Sequence, residues 1–532
     1  MVVPELRPWR AARPRVVRIA NAVRPRLERA VTAARPRIAR LTNAVRPGPE
    51  RPPRPHAPRA WRYTAGAATA GLALAAGVVT AAGPWDANGQ RTAERDRAVA
   101  LERSGGADHG PAGSTGADRP APSAPPVLTA LGGTTSTVRT APGQQALSDV
   151  LAPLLGSSAL GDSHSAAVVD VTTGERLYGT DSGRALTPAS TTKIATAVAA
   201  LSALGADHRL TTRAALEPDT GELVLVGGGD PTLTARAKTS GTETWASLRT
   251  LAARAAAALK KRGTTKVTLS YDTTLYAGSA LHPIGVNDNL APVSALTADE
   301  GRTDGSSSGP ATRVTDPAAD AAGEFAGFLR DAGITTTSPG PSKASTRAET
   351  LATVSSPPLS ALVERMLTNS DNDIAETLAR QTGLASGQPG SFAGGAKAID
   401  LQLTKLGLPM AGAAFHDGSG LDRDDRLTAD LLTALLVKAG DPHRPGLRPV
   451  LTGLPVAGFT GTLTDRYTDG AAGVVRAKTG TLTGVNTLAG TVVDADGHLL
   501  TFAFLASGTT DPLEAQAALD HTATALAGCG CT

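Results

Sequence analysis

Cysteine is almost absent from this chain of 532 residues: there are two, Cys529 and Cys531, at the extreme C-terminus. They cannot build a disulfide scaffold, and with one Gly between them a mutual bridge would close a tiny, strained ring. The expectation is a frayed tail without chemistry. Aromatic residues make up only 3%, so the core must come from Ala, Leu and Val, which a hydrophobic fraction of 41% allows. Nine His show no paired ligand spacing of the His-Glu-x-x-His kind, so neither a metal nor a cofactor is expected. Lysine is missing from residues 1–63, where sixteen Arg and three Glu give a charge of +13; the remaining 36 basic and 45 acidic residues give −9. The net charge of +4 therefore hides a basic head on a mildly acidic body. No aromatic interleaving or folded nucleic-acid module accompanies the head, so no nucleic acid is expected as a partner.

The chain is too long for one ordinary domain, and its 58 Gly and 37 Pro point to unstructured stretches beside a folded part. Residues 1–63 repeat a basic unit every eleven residues: Ala-Arg-Pro-Arg at 12–15, Val-Arg-Pro-Arg at 23–26, Ala-Arg-Pro-Arg at 34–37 and Val-Arg-Pro at 45–47. Two readings stand for this head: a basic amphipathic segment on anionic lipid, or a disordered tail that sets membrane topology. Residues 64–83, TAGAATAGLALAAGVVTAAG, carry no charge over about the length that spans a bilayer. Arg59 and Arg62 precede the run, and Trp61, Tyr63 and Trp85 flank it as interfacial aromatics do. A single-pass signal-anchor in the cell membrane is expected, with the head cytoplasmic, membrane lipid as a partner and the body outside. A cleaved signal peptide is the alternative. Residues 84–142 have the Gly, Ala, Pro, Ser and Thr content of a linker.

From about residue 143 the pattern is mixed α+β. Residues 166–171 and 176–178 around Thr-Thr-Gly-Glu read as a hairpin, as do residues 487–493 and 498–505, and 511–527 read as a closing helix. Strands at both ends of the body suggest one shared antiparallel sheet.

Three short motifs carry the chemistry. Ser190-Thr-Thr-Lys193 precedes the apolar run IATAVAALSAL, which reads as a buried helix starting near Ser190. At i and i+3 the Ser and Lys share a face. A serine hydroxyl needs a base, and a desolvated Lys can be one because burial disfavours its charged form. Ser370-Asp-Asn372 lies in the helical-looking ALVERMLTNSDNDIAETLARQ; Ser370 can relay a proton and Asn372 can hydrogen-bond a peptide. Lys478-Thr479-Gly480 opens an edge strand, where Gly480 is expected to let a substrate backbone approach and Lys478 and Thr479 to bind a carboxylate. Each alone is weak; in this order they are the trio shared by penicillin-binding proteins and class A β-lactamases.

With Gly227-Gly-Gly-Asp-Pro-Thr-Leu233, Leu290-Ala-Pro-Val-Ser-Ala-Leu296 and His416-Asp-Gly-Ser-Gly-Leu421, the chain resembles the penicillin-binding-protein 4 family of D-Ala-D-Ala carboxypeptidases/endopeptidases over about residues 143–528. The resemblance implies a β-lactamase/transpeptidase-like serine acyl-enzyme domain, residues 143–211 and 358–532, split by an inserted domain at 212–357. The 180 residues from Ser190 to Ser370 leave room for it. It also implies roles: Ser190 as nucleophile, Lys193 as base, Ser370 and Lys478 as proton carriers to the leaving amine, and Asn372 and Thr479 as substrate-orienting groups. The N–H groups of Ser190 and Thr481 would form an oxyanion hole. Arg423 and Asp272 are looser candidates near the stem-peptide side chain; Asp422 stands where the family has a small hydroxyl residue. Implied partners are peptidoglycan stem peptides ending in D-Ala-D-Ala and β-lactam antibiotics. A class A β-lactamase would need a Glu for deacylation, and no Glu lies between Glu376 and Glu514. A silent wall-binding protein on the same fold and a promiscuous serine esterase remain as rivals. Carboxypeptidase and endopeptidase action use the same residues and stay open.

Overall fold

The computed structural model describes residues 143–237, 245–467 and 470–530. The basic head, the apolar run at 64–83 and the linker lie outside the described residues. No helix among the described residues is long and apolar enough to cross a membrane.

In chain order the elements are α1 (Gln144–Leu155), β1 (Ser163–Asp170), β2 (Arg176–Thr180), α2 (Thr192–Leu204), β3 (Thr211–Leu216) and β4 (Leu223–Val226). There follow α3 (Leu248–Lys261), β5 (Lys266–Val267), β6 (Leu269–Asp272), α4 (Pro317–Asp331), β7 (Thr335–Thr336), β8 (Gly340–Pro341) and β9 (Glu349–Ser355). Four helices come next, α5 (Leu359–Asn369), α6 (Asn372–Ala385), α7 (Phe392–Lys405) and α8 (Ala429–Gly440). The chain closes with β10 (Val475–Leu482), β11 (Val485–Val493), β12 (Leu499–Ser507) and α9 (Pro512–Ala527).

Two sheets organise this α+β chain. The first has the order β10-β11-β12-β1-β2 and is antiparallel throughout, so the two ends of the body meet where β1 pairs with β12, Ser163 opposite Ser507 and Asp170 opposite Leu500. Side chains alternate across it. Ala167, Ala489, Ala503 and Leu505 face a core shared with α2, α5, α6, α7 and α8. Ala166, Val168, Leu488, Phe502 and Phe504 face α1 and α9 on the other side. Burial on both faces explains why β11 and β12 read as nearly continuous apolar runs. Helix α2 is buried over Thr192–Leu201, all round, which places it at the centre of the helical layer.

The second sheet, β8-β6-β4-β3-β9, is built by the segment from Thr211 to Ser355. Leu223, Leu225, Leu269 and Ala352 pack there against α3 and α4 around Phe325, a core separate from that of the first sheet.

Two expectations change. The stretch ALVERMLTNSDNDIAETLARQ is not one helix. It breaks at Ser370, which has left-handed φ/ψ of 58/38 and caps α5, while Asp371 caps α6 by accepting from Ile374 N–H at 3.0 Å. Cys529 is not in a frayed tail: it is buried beside α9 and disulfide-bonded. Cys531 lies outside the described residues.

Candidate active site

Ser190 sits on a single 3₁₀ turn, Ala189–Thr191, directly before α2. Ala189 takes φ +48, a strained value for a residue with a Cβ. The turn is held through Pro188 O, which accepts Thr191 Oγ1 at 2.7 Å and Thr487 Oγ1, from β11, at 2.8 Å. Gly420 backs it at φ +81; a Cβ there would lie 1.9 Å from Ala189 O.

One helical turn on, Lys193 is fully buried. Its Nζ donates to Ser190 Oγ at 3.0 Å, Asn372 Oδ1 at 2.6 Å and Ser419 O at 2.6 Å, which uses all three ammonium donors. Burial lowers its pKa to about 8, against the opposing pull of Asp417, Glu376, Asp371 and Asp425. A lysine of that pKa is neutral in a useful fraction near neutrality, as a base for a serine must be.

The break between α5 and α6 delivers the second motif. Ser370 and Asn372 line a cavity of 330 Å³ together with Ser190, Leu421, Thr462 and Thr481, and Arg302 closes one wall from the 211–355 segment. Asn372 Nδ2 donates to Asn289 O at 2.9 Å. Behind the motif, Arg302 Nε pairs with Glu300 Oε2 at 2.7 Å and Arg313 with Asp373 at 2.9 Å. Burial and the charges of Asp371 and Asp373 push the Glu300 carboxyl well above the usual range. Asp371 Oδ2, beside it, is buried without a hydrogen-bond partner. A larger cavity of 730 Å³ between the β1–β2 hairpin and α8 holds none of the motif residues.

Lys478 is fully buried in the middle of the edge strand β10, with Nζ donating to Thr479 O at 2.7 Å. Burial, then the charges of Lys193 and Arg466, lower its pKa strongly. Thr479 Oγ1 donates to Thr462 Oγ1 at 3.0 Å.

Gly480 has a reason for being glycine besides the expected substrate approach. A Cβ there would lie 2.1 Å from Thr487 Oγ1 and 2.7 Å from Pro188 O, so its absence lets β10 close onto the turn that carries Ser190. Arg423 is exposed and bonds Thr483 O in the β10–β11 turn, outside the lining of the 330 Å³ cavity. Asp272 is not in that lining either. Its two oxygens accept from Thr274 N–H at 2.8 Å and Ala344 N–H at 2.9 Å, closing a turn of the second sheet. The motif residues converge; these two looser candidates do not join them.

Sequence reasoning passed over Asp417, Glu376, Asp425 and His282, which gather behind Lys193. Asp425 accepts from Thr192 Oγ1 at 3.2 Å and from His416 N–H at 2.7 Å, and burial beside Asp417 pushes it up to about 9. His282, Glu376 and Asp417 bring ligand-type atoms close together. Each of the three is already engaged by protein groups, which is the pattern of a structural network rather than of a site kept open for an ion.

A serine on a strained turn at a helix start, a desolvated lysine within hydrogen-bond reach, a second serine on a helix break and a Lys-Thr-Gly edge strand define a serine acyl-transferring hydrolase. Residues 147–309 and 302–526 match the D-Ala-D-Ala carboxypeptidase 3 (S13) family, and the chain belongs to it. It is 37% identical to carboxypeptidase DacB of Mycolicibacterium smegmatis over 429 residues, 77% of this chain and 90% of that protein. It is 31% identical to a D-alanyl-D-alanine carboxypeptidase of an Actinomadura species, over 65% of this chain and 78% of that protein. Among solved structures it is similar in fold to penicillin binding protein 4 of Haemophilus influenzae, with TM-score 0.58 and 22% identity over 72% of this chain and 97% of that one. That protein has also been solved with a β-lactam, a structure similar to this chain at TM-score 0.56.

Proposed function

We propose that this serine D-alanyl-D-alanine carboxypeptidase works through an acyl-enzyme on Ser190. The carrying observation is the 3.0 Å contact of Lys193 Nζ with Ser190 Oγ inside a buried site. Neutral Lys193 takes the Oγ proton as Ser190 attacks the carbonyl between the two terminal D-alanines. The tetrahedral oxyanion forms against the N–H groups of Ser190 and Thr481, residues that both line the cavity. Ser370 and Lys478 carry a proton to the leaving amine, so free D-Ala departs and the acyl group stays on Oγ. Water then hydrolyses the ester and returns the proton to Oγ. Asn372 and Thr479 orient the stem peptide. A β-lactam replaces the D-Ala-D-Ala bond with a strained amide whose leaving amine stays tethered, which leaves Ser190 acylated.

Endopeptidase action on cross-linked stems belongs to the same reading, since it uses the same residues on a different acyl donor. Residues 64–83 hold the body at the outer face of the cell membrane in this proposal, on the strength of their length, lack of charge and flanking arginines. Residues 84–142 give reach toward the wall.

The test is product analysis on a pentapeptide stem and on cross-linked wall fragments, with and without penicillin. D-Ala release that penicillin and Ser190→Ala both abolish is expected. Rapid turnover of penicillin with no D-Ala release would favour the β-lactamase reading. A Ser190→Ala chain that fully replaces the wild type in cells would favour the silent binding protein.

A further inference from the structure

The carbonyl that receives Lys193, Ser419 O, belongs to a loop held by carboxylates. Asp417 accepts from Gly420 N–H at 2.6 Å, Asp422 N–H at 2.7 Å and Ser419 Oγ at 3.2 Å. Glu376, on α6, accepts from Gly418 N–H at 3.1 Å and Ser419 N–H at 2.8 Å. The fourth donor to Asp417 comes from the 211–355 segment: His282 Nε2 lies 3.1 Å from Asp417 Oδ2. Its other nitrogen, Nδ1, accepts Ile284 N–H at 3.2 Å, which places the proton of the neutral ring on Nε2, toward Asp417. The His282 and Asp417 side chains are 1% and 0% exposed, and the Phe392 ring stands edge-on to the imidazole at 4.9 Å. None of these groups takes part in the acylation steps above.

We propose that His282 and Asp417 are positioning residues for Lys193: the pair ties the 211–355 segment to the 417–422 loop and so fixes the Ser419 carbonyl that aims the lysine at Ser190. The assignment rests on Lys193 being the base for Ser190. Lys193 has two fixed acceptors besides its serine. Asn372 is anchored to Asn289 O, and Ser419 is anchored through Asp417 and Glu376. Both anchors trace back to the 211–355 segment, by way of Asn289 and His282. That segment therefore sets the geometry of the base as well as walling the cavity.

Charge acts along the same path. The groups facing Lys193 are Asp417, Glu376, Asp371 and Asp425, with Asp417 foremost in favouring the ammonium, and Lys193 in turn bears on Lys478. The groups facing His282 are Asp417, Glu376 and Asp422. Burial opposes charge on the imidazole, but these carboxylates outweigh it and raise its pKa above the ordinary value. Because the pKa is raised, the fold favours the imidazolium, so the His282–Asp417 tie is kept in acid and weakens as pH rises through that pKa.

The test is the rate at which fluorescent penicillin labels the intact protein across about pH 5.5 to 9.5. Wild type, His282→Ala, His282→Gln and Asp417→Asn are compared, with Ser190→Ala as blank and thermal melting as the check on folding. His282→Ala is expected to slow labelling about 10- to 100-fold, the scale of a catalytic group displaced by about 1 Å. His282→Gln, whose amide can donate to Asp417, is expected to recover most of the loss. Asp417→Asn is expected to shift the acid limb to lower pH, because a charge that favours the ammonium is gone. Wild-type rates and profiles in His282→Ala and Asp417→Asn, with both folded, would overturn the proposal. So would an equal loss in both His282 variants, which marks a packing role only. If Asp417→Asn does not fold, the two His282 variants decide. Absence of label on wild type would overturn the acyl-enzyme reading and this assignment with it.

Discussion

Nζ of Lys193 lies 2.6 Å from Oδ1 of Asn372, although 179 residues separate them in the chain. The amide is oriented from both ends, since its Nδ2 donates to Asn289 O at 2.9 Å. Oδ1 must therefore face the lysine, and a side chain with only acceptors cannot take its place. Asn372→Asp puts a carboxylate beside the lysine and leaves Asn289 O without its donor. The carboxylate favours the ammonium, so the acid limb of penicillin labelling should move to higher pH by about one unit or more. Labelling at neutral pH should fall about 10- to 100-fold. Rates measured across pH check this, and an unmoved limb would contradict it.

Lys193→Met should abolish labelling and also change how stability depends on pH. The folded pKa of about 8 lies below the ordinary 10.5 because burial disfavours the charged form. Between those values the unfolded chain binds more protons, so this lysine's cost is fully present below about 8 and fades as pH rises toward 10.5. The size is about 3 kcal/mol. Unfolding by guanidinium at about pH 7 and pH 10 should show wild type gaining on the Met variant by up to that amount. A difference that stays flat with pH would rule the effect out.

Ser370→Gly separates fold from chemistry. The residue sits at φ 58, where glycine has no Cβ penalty. The variant should keep or raise stability by about 0.5–1 kcal/mol while acylation falls about 100-fold or more, as the hydroxyl leaves the cavity. Melting temperature and labelling rate, measured on one preparation, test the two halves.

Gly480→Ala should do the reverse of what a substrate-facing glycine predicts. The new methyl meets Thr487 Oγ1 and Pro188 O, so the sheet must move off the Ser190 turn. A loss of about 1–3 kcal/mol in stability should accompany the loss of activity. Full stability with impaired substrate binding alone would return Gly480 to its expected role.

The parts of this protein that were legible in the sequence are those fixed by short-range periodicity. An i, i+3 spacing in an apolar helix brought Ser190 and Lys193 together, and short apolar runs on either side of turn residues marked both hairpins of the first sheet. The helix break at Ser370 was hidden because apolar periodicity runs on both sides of it; the readable signal was Asp371 as a cap for Ile374. The contacts of Gly480, Asp272 and His282 were hidden for a common reason. Their partners lie at Pro188, Ala344 and Asp417, and nothing local in the chain points there. Asp417 stood within a noticed motif, yet its four donors emerge only when the loop folds back on α6 and the 211–355 segment.

Because β12 lies between β11 and β1, a growing polypeptide carries Ser190 and Lys193 long before it has any strand to pair with β1 on that side. Lys478 arrives later still, on a strand that reaches β1 only through β11 and β12. A product ended between Lys193 and β10 holds the nucleophile and its base with only the β1–β2 pair of the first sheet beneath them. Assembly of the site on Ser190 therefore waits for the last three strands, the final part of the sheet to be made.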